Sequence, residues 1–176
     1  MNYGGYKTAS IENGVGCRTA LFVSGCTHRC KACFNQETWD FKYGRKMTEE
    51  VEDKIVKTLE PKYIKGLTIL GGEPMEPQNQ EGVLRIIKKA KALYPDKTIW
   101  VYSGYLWEEL IDPDFKRAYT SFTKEILENI DVLVDGPFIL EEKDLSLLYR
   151  GSRNQRVIDT QKSLEKGEII LSEYNR

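Results

Sequence analysis

Cys26, Cys30 and Cys33 lie within eight residues in the spacing C-x3-C-x2-C, and only one other cysteine, Cys17, exists in the chain. Three thiolates this close can hold one metal centre from a single loop. A structural zinc site wants four protein ligands, so zinc would recruit Cys17 or His28 as the fourth. A 4Fe-4S cluster held by three cysteines keeps one iron without a protein ligand, and a substrate can bind there. Buried cysteines with no ligand are a third reading. The spacing alone leaves all three open.

Other chemistries are excluded cheaply. His28, inside the cysteine loop, is the single histidine of the chain. A Ser-His-Asp triad would need one elsewhere, and an H-E-x-x-H site needs two. No G-x-x-x-x-G-K-[ST] phosphate loop occurs. The net charge of -1 offers no basis for a nucleic-acid-binding surface. No window is apolar enough to span a membrane. The N-terminus, Met1-Asn2-Tyr3-Gly4-Gly5-Tyr6-Lys7, lacks the apolar stretch of a secretory signal, so clustered cysteines read as metal or redox chemistry in the cytoplasm. A length of 176 residues suits one domain, residues 1–176.

The elements that must position the cysteines can be read from periodicity. Thr19–Val23 reads as a strand that feeds the cysteine loop. A helix is expected over Glu49–Leu59, capped by Thr48, with Val51, Ile55 and Leu59 on one face. Leu67–Leu70 is a second strand, ending at Gly71-Gly72-Glu73-Pro74. A helix over Gln80–Tyr94 follows, with Asn79 as its cap. Thr98–Tyr102 is a third strand, ending at Ser103-Gly104-Tyr105. A helical region is expected between Asp114 and Asn129, with no chemistry assigned to Asp112–Asn129. Val132–Val134 is a fourth strand, ending at Asp135-Gly136-Pro137. The tail to Arg176 gives no clear pattern.

Strands alternating with helices imply an α/β fold with a mainly parallel sheet. A closed eightfold barrel usually takes about 250 residues, so an open or partial (β/α) barrel is expected. Parallel strands bring all four irregular stretches to one rim, where α/β folds bind ligands. Gly71 and Gly72 allow close approach to backbone, and Glu73 places a carboxylate beside them that suits an ammonium group. Ser103-Gly104 and Asp135-Gly136 each look like ordinary strand-to-helix turns. Ala32, Cys33 and Phe34 can offer backbone groups to a flat ring. Trp39, Trp100 and Trp107 are most simply core.

The cysteine loop together with Gly71-Gly72-Glu73-Pro74 resembles the radical S-adenosylmethionine superfamily. Further motifs narrow it: Asn13-Gly14-x-Gly16-x-Arg18, Leu21-Phe22-Val23-Ser24-Gly25-Cys26-x-His28-x-Cys30, Asn35-x-x-Thr38-Trp39, Pro77-Gln78-Asn79, Ser103-Gly104-Tyr105, Val134-Asp135-Gly136 and Arg150-Gly151-Ser152-x-Asn154-Gln155-Arg156. Together they are similar to the family of proteins that activate the anaerobic (class III) ribonucleoside-triphosphate reductase. The resemblance implies that Cys26, Cys30 and Cys33 hold a 4Fe-4S cluster and are the catalytic centre. It implies S-adenosyl-L-methionine on the open iron, with its amino group near Gly71, Gly72 and Glu73. Ala32, Cys33 and Phe34 are implied near its adenine, and Ser103 and Asp135 near its carboxylate or ribose. Ala32 stands where many members carry an aromatic, and Glu73 where the family often has Asp. A low-potential electron donor such as flavodoxin would reduce the cluster. The 5′-deoxyadenosyl radical then takes a hydrogen atom from a glycine of the reductase. Arg150, Arg153 and Arg156 are candidate contacts with that partner. An activase for another glycyl radical enzyme, an enzyme with a small organic substrate and a zinc-bound adaptor remain the other readings.

Overall fold

The computed structural model describes residues 1–176. Four parallel strands form the centre of one sheet: β2 (Cys17–Val23), β4 (Ile64–Gly71), β5 (Thr98–Tyr102) and β6 (Val132–Asp135). These are the four strands expected from the sequence. Three more strands extend the sheet: β1 (Asn2–Ser10), β3 (Arg45–Lys46) and β7 (Arg156–Asp159). The order is β3-β1-β2-β4-β5-β6-β7, and β1, β3 and β7 pair antiparallel with their neighbours. The sheet is not closed, because β3 and β7 do not pair.

Successive side chains of a strand point to opposite faces. On one face Leu21, Val23, Leu67, Ile69, Ile99, Val101, Leu133 and Ile158 pack against helices, and all are buried. Those helices are α1 (Glu49–Lys57), α2 (Pro77–Leu93), α3 (Trp107–Ile111), α4 (Thr123–Asn129) and α5 (Thr160–Lys166). On the other face Trp100, Val132, Val134 and Val157 form a second cluster, joined by Tyr102, Tyr149 and Tyr174. Burial on both faces is why Leu67–Leu70 of β4 carries only one polar residue, Thr68, which meets Arg18 on the second face. Arg18 is buried on this second face. Its guanidinium donates to Thr68 Oγ1 at 2.8 Å, Thr98 Oγ1 at 2.9 Å, Leu67 O at 3.0 Å and Thr98 O at 2.8 Å. It thereby ties β2 to β4 and β5. Burial lowers its pKa to about 10.

Several sequence expectations need correction. α2 begins at Pro77, whose missing N–H costs nothing at a first helical position. Asn79 is therefore inside the helix, not its cap. Helix between Asp114 and Asn129 is confined to α4, and a separate short α3 precedes it. The intervening chain is held instead by Gln80, which donates to Ala118 O at 2.5 Å and accepts from Thr120 Oγ1 and Thr123 Oγ1. The tail is ordered as β7 and α5. Asp159 caps α5 by accepting from Lys162 N. β1 was invisible to periodicity because two glycines and several polar residues fill an edge strand.

Candidate functional site: a three-cysteine cavity at the carboxyl rim of the sheet

Strand β2 delivers the chain to Ser24, whose N–H donates to Asn2 O at 3.0 Å. The cysteine loop is then held by its backbone. Gly25 N donates to Thr38 O at 2.7 Å, Cys26 N to Trp39 O at 3.2 Å, and Glu73 N to Gly25 O at 2.8 Å. A Cβ on Gly72 would lie 2.6 Å from Gly25 O, so only glycine lets the β2 and β4 loops touch. Two side chains at the start of α2, its N-cap Glu76 and Asn79 in its first turn, complete the junction. Glu76 Oε1 accepts from Thr27 N at 2.7 Å and Thr27 Oγ1 at 2.6 Å. Asn79 Nδ2 donates to Ser24 O and Glu73 O, both at 3.0 Å.

A cavity of about 220 Å³ lies at this rim. Cys26, Cys30 and Cys33 line it together with Gly71, Gly72, Glu73, Ser103 and Gly104. Parallel strand ends thus gather the loops after β2, β4 and β5. All three thiols are free and partly buried. Burial, reinforced by the charge of Glu73, pushes the Cys26 thiol up to about 12. Burial also raises Cys30, with Cys33 adding to the shift. Cys17 sits at the opposite end of β2, about 20 Å away by strand rise, and packs against the main core. It cannot be a fourth ligand. A 4Fe-4S cluster spreads its cysteines over different irons and can be held by three of them, which three thiols around one cavity fit.

Glu73 is 1% exposed. Its Oε1 accepts from Met75 N at 2.8 Å and Ser103 Oγ at 2.9 Å, and its Oε2 accepts from Gly104 N at 2.6 Å. His28 Nε2 lies 3.1 Å from Oε2. That approach is not aligned as a hydrogen bond, and acts as an ion-pair contact in the imidazolium form. The His28 ring meets Tyr105 edge-on at 4.4 Å. A Cβ on Gly104 would lie 2.7 Å from the ring, which explains that glycine. His28 and Asn79, which the sequence offered as a zinc ligand and a helix cap, are positioning residues instead, and Glu76 is one that sequence reasoning passed over. His28 and Asn79 sit inside motifs already singled out, and Glu76 lies between two of them.

Not every expected residue reaches the cavity. Asp135 is buried, but the alternation that aims Val134 at the cavity turns Asp135 to the helix face. There it accepts from Trp107 N at 2.8 Å and Arg156 Nε at 2.9 Å. Its carboxylate is an anchor, and Gly136 occupies the cavity wall instead. Ala32 is exposed with φ of 60° and does not line the cavity. Phe34 does line it but is 80% exposed, with its ring 6.3 Å from Phe138. Trp39 also lines the cavity, while Trp100 and Trp107 are core. Of the three arginines expected to face a partner, Arg156 is paired with Asp135 and Glu108, and Arg150 donates to Gln155 O at 2.6 Å. Only Arg153 is exposed.

Residues 12–158 match the family described as a 4Fe-4S single cluster domain, so the chain is of that class. Among curated proteins, it is 45% identical over 157 residues to the anaerobic ribonucleoside-triphosphate reductase-activating protein of Vibrio cholerae, covering 88% of this chain and 96% of that one. It is 40% identical over 159 residues to the protein of that name from Escherichia coli, covering 89% and 97%. The protein of that name from Enterobacteria phage T4 is 38% identical over 159 residues, covering 89% and 93%. The chain belongs to the family of anaerobic ribonucleoside-triphosphate reductase-activating proteins.

Proposed function

We propose that this protein is the activase of an anaerobic ribonucleoside-triphosphate reductase, with Cys26, Cys30 and Cys33 as the protein ligands of a 4Fe-4S cluster. The observation that carries the reading is the gathering of those three thiols with Gly71, Gly72 and Ser103 in one cavity, with Cys17 at the far end of β2. When bound, the cluster and S-adenosyl-L-methionine supply one-electron cleavage and a 5′-deoxyadenosyl radical that takes hydrogen from a glycine of the reductase. The chain's own work is positioning. Gly72 brings the β2 and β4 loops together, Glu76 fixes Thr27, and Glu73 with His28 joins both to the loop after β5. Gly71, Gly72 and the backbone of Glu73 would receive the amino group, with Ser103 beside them. The wall of the cavity formed by Phe34 and Phe138 offers apolar surface to a flat ring.

The central parallel strands, with their rim of loops, support a partial (β/α) barrel, and one sheet running from residue 2 to residue 159 supports a single domain. No helix is long and apolar enough to cross a membrane, which agrees with a cytoplasmic protein that meets a reductase and a low-potential donor such as flavodoxin. The test is anaerobic reconstitution with iron and sulfide, followed by reduction with a low-potential chemical reductant in the presence of S-adenosylmethionine and the reductase. A glycyl radical signal in electron paramagnetic resonance, altered by deuterated glycine in the reductase, is expected. Cleavage of the cofactor without that signal would reject the activase assignment and leave the radical chemistry standing.

A further inference from the structure

The apolar cluster on the second face of the sheet runs from the three-cysteine cavity to the outside. Tyr102 and Val134 belong to that cluster and also line the cavity. Tyr102 and Trp100 stand two residues apart on β5, so their rings share a face. The Trp100 ring lies 5.4 Å from that of Tyr149 and 5.9 Å from that of Tyr174, and the last two are 6.2 Å apart. Backbone bonds between the tail and β7 fix Tyr174 there: Asp159 N donates to Ile170 O at 2.9 Å, and Ser172 N to Val157 O at 2.8 Å. Tyr174 is half-buried and lines an outer pocket with the exposed Lys162 and Glu173. Oxidisable rings thus connect the cavity to the surface.

Two observations say what this connection is for. The first is the Tyr102 hydroxyl. Buried tyrosine hydroxyls usually find a partner. This one is neither bonded to the protein nor sealed off, which leaves it open to the cavity that its ring lines. Burial of the ring raises its pKa, so the hydroxyl keeps its proton at neutral pH. The second is the cavity wall, which holds Gly71, Gly72, Gly104, Gly136 and Gly151. A radical able to take hydrogen from a glycine of the reductase can take it from these glycines when no reductase is docked.

We propose that Tyr102 gives its hydroxyl hydrogen atom to the 5′-deoxyadenosyl radical when no reductase glycine is in place, and that Trp100, Tyr149 and Tyr174 carry the resulting hole to the surface. The inference rests on the activase reading and adds a protective activity to the same cavity. The Tyr102 O–H bond breaks homolytically, the C5′–H bond of 5′-deoxyadenosine forms, and a neutral tyrosyl radical remains. One electron from the neighbouring rings and one proton from water restore Tyr102. Arg18, 5.3 Å from the Trp100 ring, repels a cation resting there. The hole therefore passes to Tyr149 and Tyr174, whose hydroxyls can release a proton. One electron from the low-potential donor that reduces the cluster, with one proton, then restores Tyr174.

The test uses the reconstituted, reduced protein with S-adenosylmethionine in heavy water and no reductase. The 5′-deoxyadenosine formed should carry deuterium from the exchanged Tyr102 hydroxyl. Freeze-quenched samples should show a tyrosyl radical whose electron paramagnetic resonance spectrum narrows with ring-deuterated tyrosine. Tyr102→Phe should bind wild-type iron while the deuterated fraction falls about tenfold or more, because a positioned donor is lost. On admission of air, that variant should be cut at the cavity glycines, where its radical settles. Tyr174→Phe should keep the label and lengthen the life of the tyrosyl signal about tenfold. Wild-type 5′-deoxyadenosine without deuterium, or a Tyr102→Phe protein with the wild-type deuterated fraction, would overturn the proposal and leave the activase reading standing. An unchanged tyrosyl lifetime in Tyr174→Phe would overturn the relay. A wild-type protein that does not cleave the cofactor would instead sink the activase reading and this proposal with it. The label and the spectrum are read on wild-type protein, so they decide even if Tyr102→Phe folds poorly.

Discussion

Most of the acceptor capacity of Glu73 is already used. An ionised carboxylate offers about four lone-pair sites; Met75 N, Ser103 Oγ and Gly104 N fill three, and His28 Nε2 stands 3.1 Å from Oε2 without hydrogen-bond alignment. The sequence suggested a carboxylate waiting for an ammonium group. The structure places that charge at the junction of three loops, so its first effect is on their geometry. Glu73→Gln puts an amide NH2 against one or more of these donors. We expect a loss of about 1–3 kcal/mol in stability of the iron-free protein, read from urea unfolding, together with weaker cofactor binding. An unchanged unfolding midpoint with weaker binding would return Glu73 to a direct ligand role. The cysteines divide at the same scale. Replacing Cys26, Cys30 or Cys33 by Ala should abolish reconstituted iron and the brown chromophore, whereas Cys17→Ala should retain both. Equal bleaching by Cys17→Ala would mean a four-cysteine site.

At the scale of elements, the loop after β6 is fixed by a relay from strand to helix. Arg156 of β7 reaches Asp135 of β6, and also Glu108 of α3 at 2.8 Å. The N-terminus of α3 donates to the same Asp135. The hydrogen bond from Arg156 holds the Glu108 carboxyl below its ordinary value of 4.5. A carboxyl depressed in the folded state stabilises above its unfolded pKa, and that contribution is lost as pH falls through the folded one. The urea midpoint should therefore drop as pH goes below about 4.5, and Glu108→Gln should show a shallower drop. Identical acid slopes would show that the pair carries none of the effect. This relay also marks where the sequence was legible and where it was not. The parallel strands and the two motif loops could be read because burial on both faces leaves continuous apolar runs, and because glycine and cysteine spacing is local. The roles of Asp135, Arg156 and Asn79 could not be read. Each depends on which face a strand or helix turns inward at its end, and on partners up to 55 residues away. β1 and β7 were missed for a related reason. Edge strands carry fewer apolar residues and take their stability from neighbours far along the chain.

At the scale of the molecule, the order of the sheet explains why the final residues are needed. Residues 168–176 contain no regular strand or helix, yet they close the β7 edge. Besides the two backbone bonds from Ile170 and Ser172, Asn175 Oδ1 accepts from Val157 N at 2.9 Å, and Arg176 O accepts from Leu148 N at 2.9 Å. Tyr174 brings its ring within 5.9 Å of Trp100 and 6.2 Å of Tyr149, sealing the second apolar cluster. Removing residues 168–176 would therefore break several backbone bonds, each contributing about 0.5–1.5 kcal/mol. It would also remove aromatic pairs that add about 0.5–1.5 kcal/mol each. A loss of roughly 3–9 kcal/mol is expected on these counts, comparable with the roughly 5–15 kcal/mol that holds a domain folded. The truncation would also bare β7, leaving both edges of the sheet unpaired and prone to pairing with other chains. Urea unfolding and sedimentation of the iron-free protein check both effects together. The midpoint should fall, and the truncated chain should self-associate with rising concentration where the full chain does not. A truncated chain with the full chain's midpoint and the same sedimentation would show that β7 is held by β6 and α5 alone.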